Sequence, residues 1–157
     1  MPHSDFVHLT NHTAYSLAEG ALQVKELIRN CKEKLMPAVG ITDSGNLFGA
    51  LEFSVLASEA GIQPIIGAKL CINRNESRVS DIKHANTIND HGSLEPDKIV
   101  LIVQNEVGYK NLLDLVSVSF IESNGSEKPQ IFLSDLELSL IHISEPTRQA
   151  EISYAVL

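Results

Sequence analysis

The sequence predicts an α/β fold in which short, doubly buried strands alternate with helices around a parallel sheet or barrel. Two observations carry this expectation. Several apolar runs are short and nearly continuous, as strands covered on both faces are; the clearest is residues 98–104, Lys-Ile-Val-Leu-Ile-Val-Gln. Between them lie longer stretches with apolar residues at helical spacing, and Gly or Pro marks the changes from one to the other.

Taken in order, residues 5–9 read as a short buried strand. Residues 20–35 read as a helix whose Leu22, Val24, Leu27, Ile28, Cys31 and Leu35 approximate one face, stopped by Met36-Pro37. Residues 38–42 form a second apolar run and residues 46–60 a second helix. Gly61 and Pro64 then punctuate before a third strand at 64–72. Residues 73–97 are polar with no sustained period, which predicts a loop insert. Order is expected to resume with the strand at 98–104, a helix at 108–120 carrying Leu112, Leu115, Val116 and Ser119 on one face, and a short strand at 131–133. No internal repeat is visible.

At 157 residues and 43% hydrophobic, the chain can build one domain with a core. Its 20 acidic residues against 12 basic ones leave a formal charge of −8, the wrong sign for a surface that neutralises phosphates. No apolar run approaches the roughly 20 residues that span a bilayer, and the first residues lack a leader pattern, so a cytoplasmic, membrane-free location is expected. Cys31 and Cys71 show no metal or redox spacing and read as reduced thiols.

Three blocks then stand out in order: Phe6-Val-His-Leu-Thr-Asn-His-Thr-Ala-Tyr-Ser-Leu-Ala-Glu-Gly20; Met36-Pro-Ala-Val-Gly-Ile-Thr-Asp-Ser-Gly-Asn-Leu-Phe-Gly-Ala50 with Gly61-Ile-Gln-Pro-Ile-Ile-Gly67; and Asn105-Glu-Val-Gly-Tyr-Lys-Asn-Leu112. Together they resemble the polymerase-and-histidinol-phosphatase (PHP) domain of bacterial DNA polymerase III alpha subunits, across most of residues 5–135. The resemblance implies an α/β, PHP-type distorted (βα)7 barrel, of which residues 1–137 hold the first half only. It also implies a parent that is a DNA-directed DNA polymerase in DNA replication, whose catalytic carboxylates and magnesium lie downstream. This segment alone is then expected to be inactive and free of cofactor. The partners implied are the remainder of the alpha subunit, the proofreading exonuclease subunit, and DNA reached through the parent rather than through this segment.

Asn11-His12 follows the first expected strand and Asp43 the second, so both fall where strand ends present loops to a common rim. In intact members of the family that rim is implied to hold a zinc or manganese cluster of His and carboxylate ligands, opening with a His-x-His pair, which activates water for phosphoester hydrolysis. Here Thr10 stands at the first His of the pair, Ser44 follows Asp43 where a His is expected, Lys69 replaces a Glu, and Lys98 falls near another His position. A lysine's hydrated positive charge opposes a divalent cation and is available to pair with Asp43 instead. His12 and Asp43 are therefore expected to be vestigial metal ligands, held together with Glu19 by hydrogen bonds. His8 reads as structural, His3, His84 and His91 as solvated, and Asn46 as the N-cap of the second helix rather than part of an anion site.

Beyond residue 137 the resemblance stops. Leu138-Ser-Leu-Ile-His-Ile-Ser-Glu-Pro-Thr-Arg148 resembles the in-frame translation of a transposase-type sequencing-library adapter, as does Ile152-Ser-Tyr-Ala-Val156, so residues 138–157 are expected to be an artefactual tail. Two other readings compete. A metal-dependent PHP phosphoesterase needs the His-x-His pair and the third-strand Glu that this sequence lacks. A stand-alone interaction module is disfavoured by the block at 105–112, which resembles the polymerase branch.

Overall fold

The computed structural model describes residues 3–17, 19–73, 96–121, 129–140 and 154–156, with side chains excepted at 137–140 and 154–156. The expected insert falls almost wholly outside these residues, as do His84, His91 and most of the expected tail.

Helix α1 (Val24–Glu33) buries Val24, Leu27, Ile28 and Cys31, the i, i+3, i+4, i+7 stripe that the sequence displays. The expected face ran on to Leu35, but the helix stops sooner. Leu35 adopts φ 55 and is 47% exposed, while Met36 N–H closes the end on Cys31 O at 2.9 Å. Strand β1 (Ala38–Ser44) is buried at its five central positions, as a strand covered on both faces should be.

The expected strand at 5–9 forms no ladder. Its backbone instead lies along the free edge of β1 through Gly40 N–H to His8 O at 2.7 Å and Thr42 N–H to Asn11 O at 2.9 Å. The contact is close: a Cβ on Gly40 would stand 2.5 Å from Leu9 O, so only glycine admits the segment.

Helix α2 (Ala50–Glu59) begins later than the expected residue 46. Asn46 does not cap it. Its amide donates to Tyr15 O and Ser44 O, both at 3.0 Å, and its Oδ1 accepts from Phe48 N–H at 3.1 Å, which makes a turn where a helix start was expected. Strand β2 (Gln63–Asn73) runs parallel to β1, pairing Ala38 with Gln63 through to Ser44 with Lys69.

Strand β3 (Asp97–Ile102) pairs with β2 antiparallel, Gly67 opposite Ile102 and Ile72 opposite Asp97. This corrects the expectation of an all-parallel set. Parallel pairing needs a crossover that carries the chain back to the starting edge, usually a helix, and the sequence between these strands shows no helical period.

Asn105 caps helix α3 (Glu106–Ile121), its Oδ1 accepting Gly108 N–H at 2.9 Å. Strand β4 (Gln130–Phe132) pairs parallel with the end of β2. It leads directly into helix α4 (Leu133–Leu140), where only a strand had been expected. Strand β5 (Tyr154–Val156), within the stretch expected to be a tail, pairs parallel with β3.

Two apolar clusters anchor these elements. One joins α1 and α2 to β1 through Ile28, Val39, Ile41 and Phe53; the other joins β2, β3, α3 and β4 through Leu70, Leu101, Leu112 and Ile131. The sheet order is β1-β2-β3-β5, with β4 also on β2, so β1 ends beside the middle of β2 and presents its last residues to one rim. Among the described residues, no helix is long and apolar enough to cross a membrane.

Candidate functional site

Three consecutive β1 residues, Thr42, Asp43 and Ser44, meet the loop at 12–19 at this rim, and each makes a different connection. His12 Nδ1 donates to Thr42 O at 2.7 Å, because a carbonyl only accepts; neutral His12 then presents the lone pair of Nε2. Asp43 is 1% exposed and accepts Thr13 N–H at 2.7 Å and Ser16 Oγ–H at 2.6 Å on Oδ1, and Thr13 Oγ1–H at 2.8 Å on Oδ2. Ser44 N–H donates to Ser16 Oγ at 3.0 Å, and Ser44 Oγ–H donates to Glu19 Oε2 at 2.6 Å.

Lys69 enters from β2 opposite Ser44. Its Nζ donates to Glu19 Oε2 at 2.5 Å and to His12 Nε2 at 3.2 Å. The expected pairing of Lys69 with Asp43 is therefore corrected. Three neutral donors already occupy both Asp43 oxygens, and the exposed-side carboxylate of Glu19 takes the ammonium. The Lys69 and Ser44 hydrogen bonds hold the Glu19 carboxyl well below its ordinary value of 4.5, at about 2, with Lys98 adding a weaker attraction.

The structure thus brings together His12, Asp43 and Glu19 as the sequence led one to expect. Thr10 and His8 are exposed away from these contacts, and His8 sets its ring edge-on to Phe6 at 4.7 Å. Sequence reasoning missed Thr13 and Ser16 as the partners of Asp43, although both lie in the block His12-Thr-Ala-Tyr-Ser16. It also missed Tyr15, whose hydroxyl donates to Glu52 Oε2 at 2.9 Å and whose pKa that carboxylate raises.

A divalent metal ion does not fit these side chains. The one histidine lone pair at the rim already accepts from an ammonium, and among the described residues no three His, Cys, Asp or Glu side chains group closely enough to hold an ion.

The family model for the PHP domain matches residues 8–157. The chain belongs to the PHP domain family. This PHP domain is 37% identical over 134 residues to the DNA polymerase III subunit alpha of Borreliella burgdorferi, covering 85% of this chain and 11% of that protein. It is 36% identical over 126 residues to the Caulobacter vibrioides subunit, covering 80% and 10%, and 38% identical over 122 residues to that of Treponema pallidum, covering 78% and 10%. The chain spans about a tenth of the length of these relatives.

Proposed function

We propose that this chain is the N-terminal PHP region of a replicative DNA polymerase III alpha subunit, in which it serves as a non-catalytic structural platform. One observation carries the second part: the Asp43 carboxylate, the His12 lone pair and Glu19 Oε2 are engaged by donors of the loop, by Ser44 and by Lys69, which argues against a water-activating centre among the described residues of the rim. The mixed sheet is then the opening part of the family's distorted barrel, completed by chain beyond this segment. The remainder of the alpha subunit is its partner, with the proofreading exonuclease subunit a further one. Polymerisation belongs to the parent, with magnesium held by carboxylates outside this segment, and the net charge of −8 gives the segment itself no attraction for DNA.

Primer extension by the whole protein and its His12→Ala variant tests this reading at matched folded concentration. Extension should survive the substitution, and no phosphate should be released from a generic ester. Lost extension with unchanged stability would place the rim in the chemistry.

A further inference from the structure

The rim's acceptors converge as they would around a positive ion. His12 turns one lone pair inward because its other ring nitrogen is committed to Thr42 O. Glu19 turns Oε2 inward, steadied by the Ser44 hydroxyl. Both meet at Lys69 Nζ, on a side chain 17% exposed. The backbone fixes where that nitrogen can reach: Ala68 and Leu70, which alternate with Lys69 on β2, are buried in the core at 0% and 2% exposure, so Lys69 must project from the other face.

We propose that the Lys69 ammonium is the rim's resident cation, a covalently attached substitute for a metal ion that ties the loop at 12–19 to strand β2. The proposal rests on reading the rim as non-catalytic, and it goes further by making the positive charge a structural requirement. An ordinary surface ion pair would engage Glu19 alone and contribute little. Here the same ammonium also takes the free imidazole lone pair of His12, so its removal leaves that inward-facing acceptor without a donor and Glu19 Oε2 with the Ser44 hydroxyl alone. An ammonium serves this role because it is a compact point charge whose donors turn to suit their acceptors.

Hydrogen exchange of the whole protein, read by mass spectrometry over residues 8–17 and 38–46, tests the tie. Lys69→Met keeps the volume and removes the charge, and it should speed exchange in both peptides by about fivefold. Glu19→Gln added to Lys69→Met should bring no further acceleration, since both changes break the same contact. If Lys69→Met alone does not fold, the double variant should recover folding, because the unpaired carboxylate is then gone. In Lys69→Ala, ethylammonium should slow the exchange, whereas tetramethylammonium at equal ionic strength, having no N–H, should not.

Wild-type exchange in Lys69→Met, independent effects of the two substitutions, failure of the double variant to recover folding, or equal action of the two ammonium salts would each overturn the proposal. Primer extension by the same variants reads the other question separately. Lost extension with wild-type exchange would sink both readings, whereas normal extension with wild-type exchange would sink the tie alone.

Discussion

Replacing Asp43 should be the most damaging single change at the rim, although no substrate or metal is needed to explain why. Its carboxylate accepts three hydrogen bonds, from Thr13 N–H, Thr13 Oγ1–H and Ser16 Oγ–H, and both donor residues are 0% exposed. In Asp43→Ala the two hydroxyls can rotate, but Thr13 N–H is fixed by the backbone and keeps no acceptor. One stranded buried donor costs about 1–3 kcal/mol, and losing the charge-assisted hydroxyl bonds brings the total to about 3–4 kcal/mol. Asp43→Asn keeps one acceptor for Thr13 N–H, and its amide can donate to a hydroxyl that turns round, so about 1–2 kcal/mol should be lost.

The whole protein should show these losses as faster local hydrogen exchange over residues 38–46, in the order alanine, asparagine, wild type. The losses should be the same with and without a chelator. An alanine variant within about 0.5 kcal/mol of wild type would refute the hydrogen-bond reasoning. A loss that disappears after chelation would show that Asp43 acts through a bound ion.

Three further outcomes follow from the same contacts. Glu19, held at about 2 rather than 4.5, contributes stability that is present above about 4.5 and lost as pH falls from there towards about 2. Because its side chain is 40% exposed, the contribution is at most about 1 kcal/mol, and urea unfolding of wild type and Glu19→Gln should converge across that window. Leu35→Gly should stabilise the chain by about 0.5–1 kcal/mol in thermal unfolding, because Leu35 sits at φ 55, a left-handed conformation that glycine adopts freely. Ser44→His and Lys69→Glu introduced together, beside His12 and Glu19, should give the rim measurable zinc or manganese by elemental analysis after dialysis, whereas each alone should retain none, since chelation needs several ligands at once.

The helices and the parallel β1–β2 pair were legible because each depends on local pattern. The α1 stripe and the apolar runs of β1 and β2 determine which face is buried before any partner is known. The direction of β3 was not legible, because an apolar run has the same pattern in either direction. Nor was α4 foreseen, where Asp135 accepts Phe132 N–H at 3.0 Å and turns the chain straight from strand into helix. Apolar period carries no record of such a side-chain contact.

At the rim, residue types showed which groups would meet but not how they would pair. Charge alone assigns Lys69 to the nearest carboxylate in the motif, Asp43, which directly precedes Ser44, the residue opposite Lys69. Burial reverses that choice. A carboxylate 1% exposed and served by three neutral donors gains little from an ammonium that would have to be desolvated to reach it, whereas Glu19, at the open side, accepts the lysine with one face still in water. The same logic explains why Thr13 and Ser16 escaped notice, since small hydroxyl residues in a loop read as turn formers until a buried charge turns out to depend on them. It also implies that the two carboxylates do different work. Asp43 fixes the loop to β1 from inside the fold, whereas Glu19 and Lys69 join that loop to β2 from its rim, and because Ser16 and Ser44 link the two sets of contacts, substitutions at Asp43 and Lys69 should combine non-additively.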